Sequence, residues 1–115
     1  MNRKGFIAIR EGDDLIRELL ERWLGEAGYS VRSVGGESPR LVIADVPSPR
    51  DAQSRIEALQ AGYAAPILVL SGRFRRGVAG SAEAARQLGV KMVLPKPFSR
   101  KQLLSAVDEA LEGAE

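Results

Sequence analysis

Four residues whose side chains could do chemistry stand at the ends of short apolar runs: Glu11, Asp45, Ser71 and Lys96. The chain contains no cysteine and no histidine, which excludes thiol chemistry, zinc-finger spacings and Ser-His triads. Carboxylates, a hydroxyl and an amine remain, and these are the groups that magnesium and phosphoryl sites use. Taken singly, each residue has an ordinary interpretation as a helix cap, a turn residue or a surface lysine.

The segments between these residues alternate between strand and helix patterns. Apolar or alternating runs predict five strands, at 5–9, 29–34, 41–46, 66–71 and 91–94. Helical spacing of apolar residues predicts four helices, at 15–24, 51–63, 82–88 and from 99 onward.

Local signals mark where two of these helices begin and end. Asp13 or Asp14 is placed to cap the first helix, and Gly28 is placed to end it. The sequence from Ser99 to Gln102 has the form of a capping box at the start of the last helix.

Alternating strands and helices predict an α/β fold with a mainly parallel sheet covered on both faces. In such a sheet, sites lie at the carboxyl ends of the strands. Glu11, Asp45, Ser71 and Lys96 are far apart in sequence, but we expect them to converge at that one edge.

The length of 115 residues predicts one domain, spanning 1–115, with its own core. The longest apolar run, 64–70, is far too short to cross a bilayer, and the amino-terminal segment lacks the apolar stretch of a signal peptide. We therefore expect a soluble cytoplasmic protein.

Positive charge is concentrated in one part of the chain. Residues 73–101 hold eight Lys/Arg and one acid, a net charge of 8 − 1 = +7, so that the rest carries 2 − 7 = −5. Such a basic segment is either an ordinary solvated surface or a face that steers an acidic partner.

Five stretches resemble the response-regulator receiver domain of two-component signalling, and the resemblance covers roughly residues 5–111. The most specific is Leu94-Pro95-Lys96-Pro97-Phe98, where Lys-Pro-Phe follows a short strand and precedes a capped helix. The second is the strand that ends on Asp45, four residues before Pro49. The remaining stretches are 13–20, 27–31 and 67–72.

The resemblance implies a flavodoxin-like, receiver-like parallel sheet of five strands in the order 2-1-3-4-5. It implies that Asp45 is the phosphoacceptor, that Ser71 hydrogen-bonds the phosphoryl oxygens and that Lys96 makes a charged contact there. A magnesium cofactor would be held by Glu11, Asp45 and Pro47. The resemblance also implies a cis Lys96–Pro97 peptide bond.

The first departure from the family concerns the metal. The family has two adjacent acids after the first strand, where this sequence has Glu11 and Gly12. Glycine offers no ligand atom to a cation that prefers octahedral oxygen coordination. We therefore expect magnesium to bind weakly.

The second departure lies in the strands and concerns two residues. Val93 stands where the family usually has an aromatic residue that rotates on phosphorylation, so that this switch cannot operate in its usual form. Arg10 stands where an apolar strand residue is usual.

The third departure is the segment between the second and third strands, where the family's second helix is apparently missing. Only 35–40 separate the two strands, whereas a parallel crossover normally needs a dozen or more residues. The Gly-Gly pair leaves a hairpin open as the alternative. Without the helix, Val31, Leu41 or Ile43 would be under-covered, and a homodimer could cover them.

The resemblance therefore implies a receiver domain that is phosphorylated on Asp45 to switch a protein-interaction face. Its activity would be at most phosphoryl transfer to, and hydrolysis from, its own aspartate. Expected partners are a histidine kinase or histidine phosphotransfer protein, and a downstream protein that contacts residues 82–110. The alternative is a pseudo-receiver that is never phosphorylated and acts as an interaction or dimerisation module. Nucleic-acid binding through the basic segment lacks a supporting recognition pattern.

Overall fold

The computed structural model describes residues 6–32, 39–46, 49–62, 65–71, 85–86, 89–96 and 98–112. The strands in these ranges are β1 (Ile7–Arg10), β2 (Val31–Arg32), β3 (Leu41–Asp45), β4 (Ile67–Ser71) and β5 (Met92–Pro95). The helices that they describe in full are α1 (Asp14–Glu26), α2 (Pro49–Gly62) and α3 (Arg100–Glu112). Of the short helix predicted at 82–88, only 85 and 86 are described, and both are helical.

The strands form a parallel sheet in the order β2-β1-β3-β4-β5. β1 pairs in parallel with β2 on one side and with β3 on the other, so that β2 and β3 are not neighbours. The hairpin alternative for these two strands is therefore wrong. Residues 33–38 lie outside the described ranges, and the missing helix stays a prediction.

Each face of the sheet carries its own core because successive side chains of a strand point to opposite faces. One face of the sheet carries the odd-numbered residues of β1 and β3 and the even-numbered residues of β4 and β5. These side chains pack against Leu20 and Leu24 of α1 and against Leu103 and Val107 of α3. On the other face, residues of opposite parity pack against Ile56 and Leu59 of α2.

The capping predictions for α1 are confirmed and made specific. The carboxylate of Asp13 accepts hydrogen bonds from the backbone N–H groups of Leu15 and Ile16, at 2.9 and 3.2 Å. Asp13 is therefore the cap, and α1 begins at Asp14. Gly28 follows the helix with φ of 97°, in the left-handed region that favours glycine.

The capping box at the start of α3 is also confirmed. The backbone N–H of Gln102 donates to Ser99 Oγ at 3.1 Å, and the backbone N–H of Ser99 donates to Gln102 Oε1 at 2.9 Å. The two bonds pair backbone N–H groups that the start of a helix otherwise leaves without a partner, and they therefore set the position at which α3 begins.

The expectation of under-covered strand residues is wrong for two of its three residues. Leu41 and Ile43 are fully buried in the core beneath α1 and α3, and Val31 is half-buried against the same core. The helices on that face already cover Leu41 and Ile43, so these two residues form no exposed apolar patch that a homodimer would have to cover.

None of the helices in the described ranges combines the length and the apolar composition that a membrane span requires.

Candidate functional site

The four residues singled out from the sequence lie at the carboxyl edge of the sheet. Glu11 directly follows β1, Asp45 and Ser71 are the last residues of β3 and β4, and Lys96 directly follows β5. Because these strands are parallel neighbours, their ends meet at one edge.

An ion cluster joins three of these residues. Lys96 Nζ lies 2.8 Å from Asp45 Oδ1, to which it donates a hydrogen bond, and 3.4 Å from Glu11 Oε1. The side chains of Lys96 and Asp45 are each 21% exposed, whereas that of Glu11 is 2% exposed. One ammonium group therefore lies between two carboxylates, and the three side chains together carry a formal charge of 1 − 2 = −1.

Only one of the two carboxylate oxygens of Glu11 accepts a hydrogen bond within the described residues. Its Oε2 accepts a hydrogen bond from the backbone N–H of Asp13 at 3.1 Å, which links the site to the cap of α1. Its Oε1 is buried and has no hydrogen-bond partner in the described part of the chain. The 3.4 Å approach of Lys96 to this oxygen is thus an ion pair without hydrogen-bond geometry.

Lys96 is fixed by the elements on either side of it. Its backbone N–H donates to the carbonyl oxygen of Ser71 at 2.8 Å, which ties the end of β5 to the end of β4. Phe98 packs edge-on against Trp23 of α1, with ring centroids 6.5 Å apart. Pro97 lies outside the described residues, so the predicted cis peptide bond stays a prediction.

Ser71 is fully buried at the end of β4. Its Cα is paired with that of Pro95, the last residue of β5, and the preceding Leu70 is paired with Asp45. The sheet register therefore places Ser71 between the strand ends that carry Asp45 and Lys96.

The pKa of Lys96 reflects this environment. Burial lowers it, but the hydrogen bond to Asp45 and the negative charges of Glu11 and Asp45 outweigh burial, so the pKa lies above the ordinary value of 10.5. A raised pKa stabilises the fold at every pH below the ordinary value and loses this contribution as pH rises through the raised value. Lys96 is therefore a cation throughout the physiological range.

We expect an NMR titration of the Lys96 Cε resonance to give a pKa above 10.5. Asp45→Asn removes one of the two negative charges and should lower that pKa, because the ammonium form loses its nearest counter-ion. Asp14→Asn, which removes an exposed carboxylate outside the ion cluster, is the control and should leave the pKa of Lys96 unchanged. An unchanged pKa of Lys96 in Asp45→Asn would contradict the ion pair.

The site offers a divalent cation two carboxylates rather than three. In the described ranges no three acidic side chains are grouped for metal binding, and Pro47 lies outside those ranges. The buried Oε1 of Glu11, which accepts no hydrogen bond from the described residues, is the kind of acceptor that a cation satisfies. Glu11 and Asp45 thus fit a divalent cation as two carboxylate ligands, and a Cβ built at Gly12 meets no atom of the described residues within 4 Å apart from its chain neighbours.

Val93 is buried at the centre of β5, in the core that packs against α2. A side chain that is 1% exposed and branched at Cβ fills its space and has no larger ring to turn outward. Val93, which replaces the family's usual aromatic residue, is therefore a packed core residue of the sheet.

A cleft beside Asp45 contains residues that the sequence analysis did not assign to a site. It has a volume of ≈ 450 Å³ between the ends of β1 and β3, the start of α1 and one side of α2. Its charged lining residues are Arg10, Glu11, Arg17, Asp45 and Arg55. Arg10 at an apolar strand position was the signal that could have indicated this cleft, but Arg17 and Arg55 carry no such signal.

The fold and the converging acid, hydroxyl and lysine define a receiver-type α/β domain. The chain is similar to a receiver protein from Burkholderia phymatum, with a TM-score of 0.72 at 22% identity and coverage of 95% of this chain and 96% of that one. It is also similar to a response regulator from Burkholderia pseudomallei solved with a phosphorylated aspartic acid, calcium ion and citrate. That likeness has a TM-score of 0.67 at 25% identity and covers 95% and 75% of the two chains.

In sequence, the chain is 34% identical over 120 aligned positions to the transcriptional regulatory protein PdtaR of Mycobacterium tuberculosis, covering 91% of this chain and 56% of that protein. It spans about half the length of that relative and of the regulator GltR of Pseudomonas aeruginosa. No protein-family model matches. The chain belongs to the receiver domains of two-component response regulators.

Proposed function

We propose that this receiver domain accepts a phosphoryl group on Asp45 and that the phosphorylated form switches a protein-interaction face. The observation that carries the proposal is the ion cluster, in which Lys96 lies 2.8 Å from Asp45 Oδ1 at the carboxyl edge of the sheet. The cluster supplies a nucleophile and a fixed cation at the place where a parallel sheet presents ligands to solvent.

The chemistry assigned to these residues is nucleophilic. A carboxylate oxygen of Asp45 attacks phosphorus, and the new O–P bond forms as the bond to the donor's leaving group breaks. Lys96 balances charge that passes from the carboxylate to the phosphoryl oxygens, and the Ser71 hydroxyl donates to one of these oxygens. Magnesium held by Glu11 and Asp45, with the Pro47 carbonyl, would add positive charge there.

Receiver domains are generally non-enzymatic. The activity proposed here is limited to phosphoryl transfer to Asp45 and hydrolysis of that phosphoaspartate. The donor is proposed to be a histidine kinase or a histidine phosphotransfer protein, because both carry a phosphohistidine and this chain has no histidine of its own.

Beryllofluoride with magnesium, a mimic of a bound phosphoryl group, tests the proposal without a kinase. We expect it to shift the amide resonances of Asp45 and Ser71 most strongly, because both residues would contact the mimic. Resonances of Trp23 and Leu24, on the buried side of α1, serve as the internal reference. An unchanged spectrum at saturating beryllofluoride would count against phosphorylation and favour the pseudo-receiver alternative.

Gly12→Asp is expected to tighten magnesium binding by about tenfold, since a third carboxylate adds a charged ligand. Apart from its chain neighbours, the described residues place no atom within 4 Å of the added Cβ, so that the fold should tolerate it. Titration calorimetry gives the two affinities, and Gly62→Asp, at an equally open helical position, controls for added negative charge. Equal magnesium affinity in Gly12→Asp and the unaltered chain would show that another group already supplies the ligand.

The downstream partner is proposed to contact residues 82–110, through the exposed basic side chains Arg86, Lys91, Arg100 and Lys101. A homodimer has less support than the sequence indicated, because Leu41 and Ile43 are fully covered. Light scattering after size exclusion tests the oligomeric state directly. A pseudo-receiver that acts only as an interaction module is the second candidate, and Gly12 and Val93 are the residues that favour it.

A further inference from the structure

We propose that the cleft between the end of β1 and α2 is an oxyanion site, in which Arg10 and Arg55, assisted by Arg17, bind a phosphate group without a divalent cation. The ligand class is a phosphate oxyanion, either free or as the phosphoryl group on Asp45. The proposal does not depend on phosphorylation of Asp45, because free phosphate can be tested on the unphosphorylated chain.

The sheet register brings the arginines to one cleft. Arg10 is the last residue of β1 and is paired with Ala44, the neighbour of Asp45. It has the same parity as Phe6 and Ala8, whose face of the sheet packs against α2. Arg55 lies on α2 one turn before Leu59, which borders both that core and the cleft.

Lys96 is the cation that already lies beside the two carboxylates of the cleft. Asp45 and Glu11 are both within ion-pair distance of Lys96, at 2.8 and 3.4 Å. The three arginines and Lys96 face three carboxylates, because Arg17 also pairs with Asp14, so that this group of side chains has a net charge of 4 − 3 = +1.

The arginines differ in how far they are already engaged. Arg17 donates to the carbonyl oxygen of Glu11 at 3.3 Å and pairs with the exposed Asp14 at 2.7 Å, which holds its guanidinium near Gly12. Arg10 and Arg55 are exposed and make no ion pair within the described ranges. Two guanidinium groups thus remain to bind a ligand.

A phosphate group fits this arrangement better than a second carboxylate or a metal ion would. Guanidinium groups stay protonated at all physiological pH values and donate paired hydrogen bonds that match the geometry of phosphate oxygens. An anion bound in the cleft also gains a favourable charge interaction with the guanidinium groups that line it. A cleft of ≈ 450 Å³ has ample room for a phosphate or a small organic phosphate.

Inorganic phosphate is the probe, titrated into the full chain in the presence of EDTA and followed by the Nε–Hε resonances of the arginines. We expect saturable shifts at Arg10 and Arg55, and about a tenfold or greater loss of affinity in the double variant Arg10→Ala/Arg55→Ala. The matched control is Arg22→Ala/Lys101→Ala, which removes the same charge from exposed positions outside the cleft and should bind as the unaltered chain does. Absence of saturable shifts in EDTA, or equal loss in both double variants, would overturn the proposal.

A second arm separates the two sources of phosphate. If the free ion is the ligand, Asp45→Asn should bind it at least as tightly, because a negative charge near the cleft is removed. If the phosphoryl group on Asp45 is the ligand, phosphorylation should shift the same Nε–Hε resonances and block inorganic phosphate. Loss of phosphate binding in Asp45→Asn, with the fold intact, would count against the arginines as the site.

Discussion

Substitution of Asp45 by asparagine is expected to abolish phosphorylation of the chain by acetyl phosphate and magnesium. The unaltered protein should gain the mass of one phosphoryl group, and Asp45→Asn should gain none, because an amide is not a nucleophile towards phosphorus under these conditions. Asparagine keeps the size of the side chain and one oxygen to accept from Lys96, so the fold should be retained. Intact-protein mass spectrometry measures the result.

The control for this substitution is Asp14→Asn, which removes a carboxylate from the first turn of α1. The Asp14 side chain is 82% exposed and pairs only with Arg17 among the described residues, so its loss should leave the phosphorylated fraction unchanged. An equal phosphoryl yield from Asp45→Asn and the unaltered protein would assign the modification to another residue.

Lys96→Met is expected to lower the free energy of unfolding by about 2 kcal/mol, measured by urea denaturation at neutral pH. The substitution keeps an unbranched side chain only one atom shorter but leaves the buried Glu11 carboxylate and Asp45 without their cation. The estimate is below the value for a fully buried pair because Lys96 and Asp45 each keep 21% exposure, which lets water screen them.

A second substitution distinguishes the effect of losing the Lys96 charge from the effect of losing its packing contacts. Glu11→Gln in the Lys96→Met background should recover part of the lost stability, because it removes the buried charge that has lost its cation. Lys101→Met, an exposed change of the same type on α3, should have little effect. If the two Lys→Met variants are equally stable, the ion cluster contributes nothing to folding.

The sequence predicted the elements that pack against both faces of the sheet because their apolar spacing is strong. Leu20, Leu24, Leu103 and Val107 are buried where helical periodicity places them. Asp13 and Ser99 cap helices because short polar side chains at those positions can reach the free amide groups. The convergence of Asp45 and Lys96 followed from parallel pairing, since strand ends then share an edge.

The sequence did not allow a prediction of the side-chain contacts in the site, nor of which strand residues the helices cover on each face of the sheet. The contact of Lys96 with Glu11 depends on the conformation of a long, flexible side chain, and no spacing rule specifies it. The burial of Leu41 and Ile43 depends on how far α1 and α3 extend over β3, which is a matter of three-dimensional packing. Arg17 and Arg55 lie on helices where charged residues are common, so that their convergence on one cleft has no local signature.

The open space beside Gly12 has an evolutionary consequence. Among the described residues other than its own chain neighbours, no atom lies within 4 Å of the position that a Cβ would take, so the packing there leaves room for a side chain. Some glycine codons become aspartate codons by a single base change, and no described neighbour blocks a Cβ at this position. From such a codon, the acid pair that the family has after its first strand can be restored in one mutational step without a change in the described packing around that Cβ.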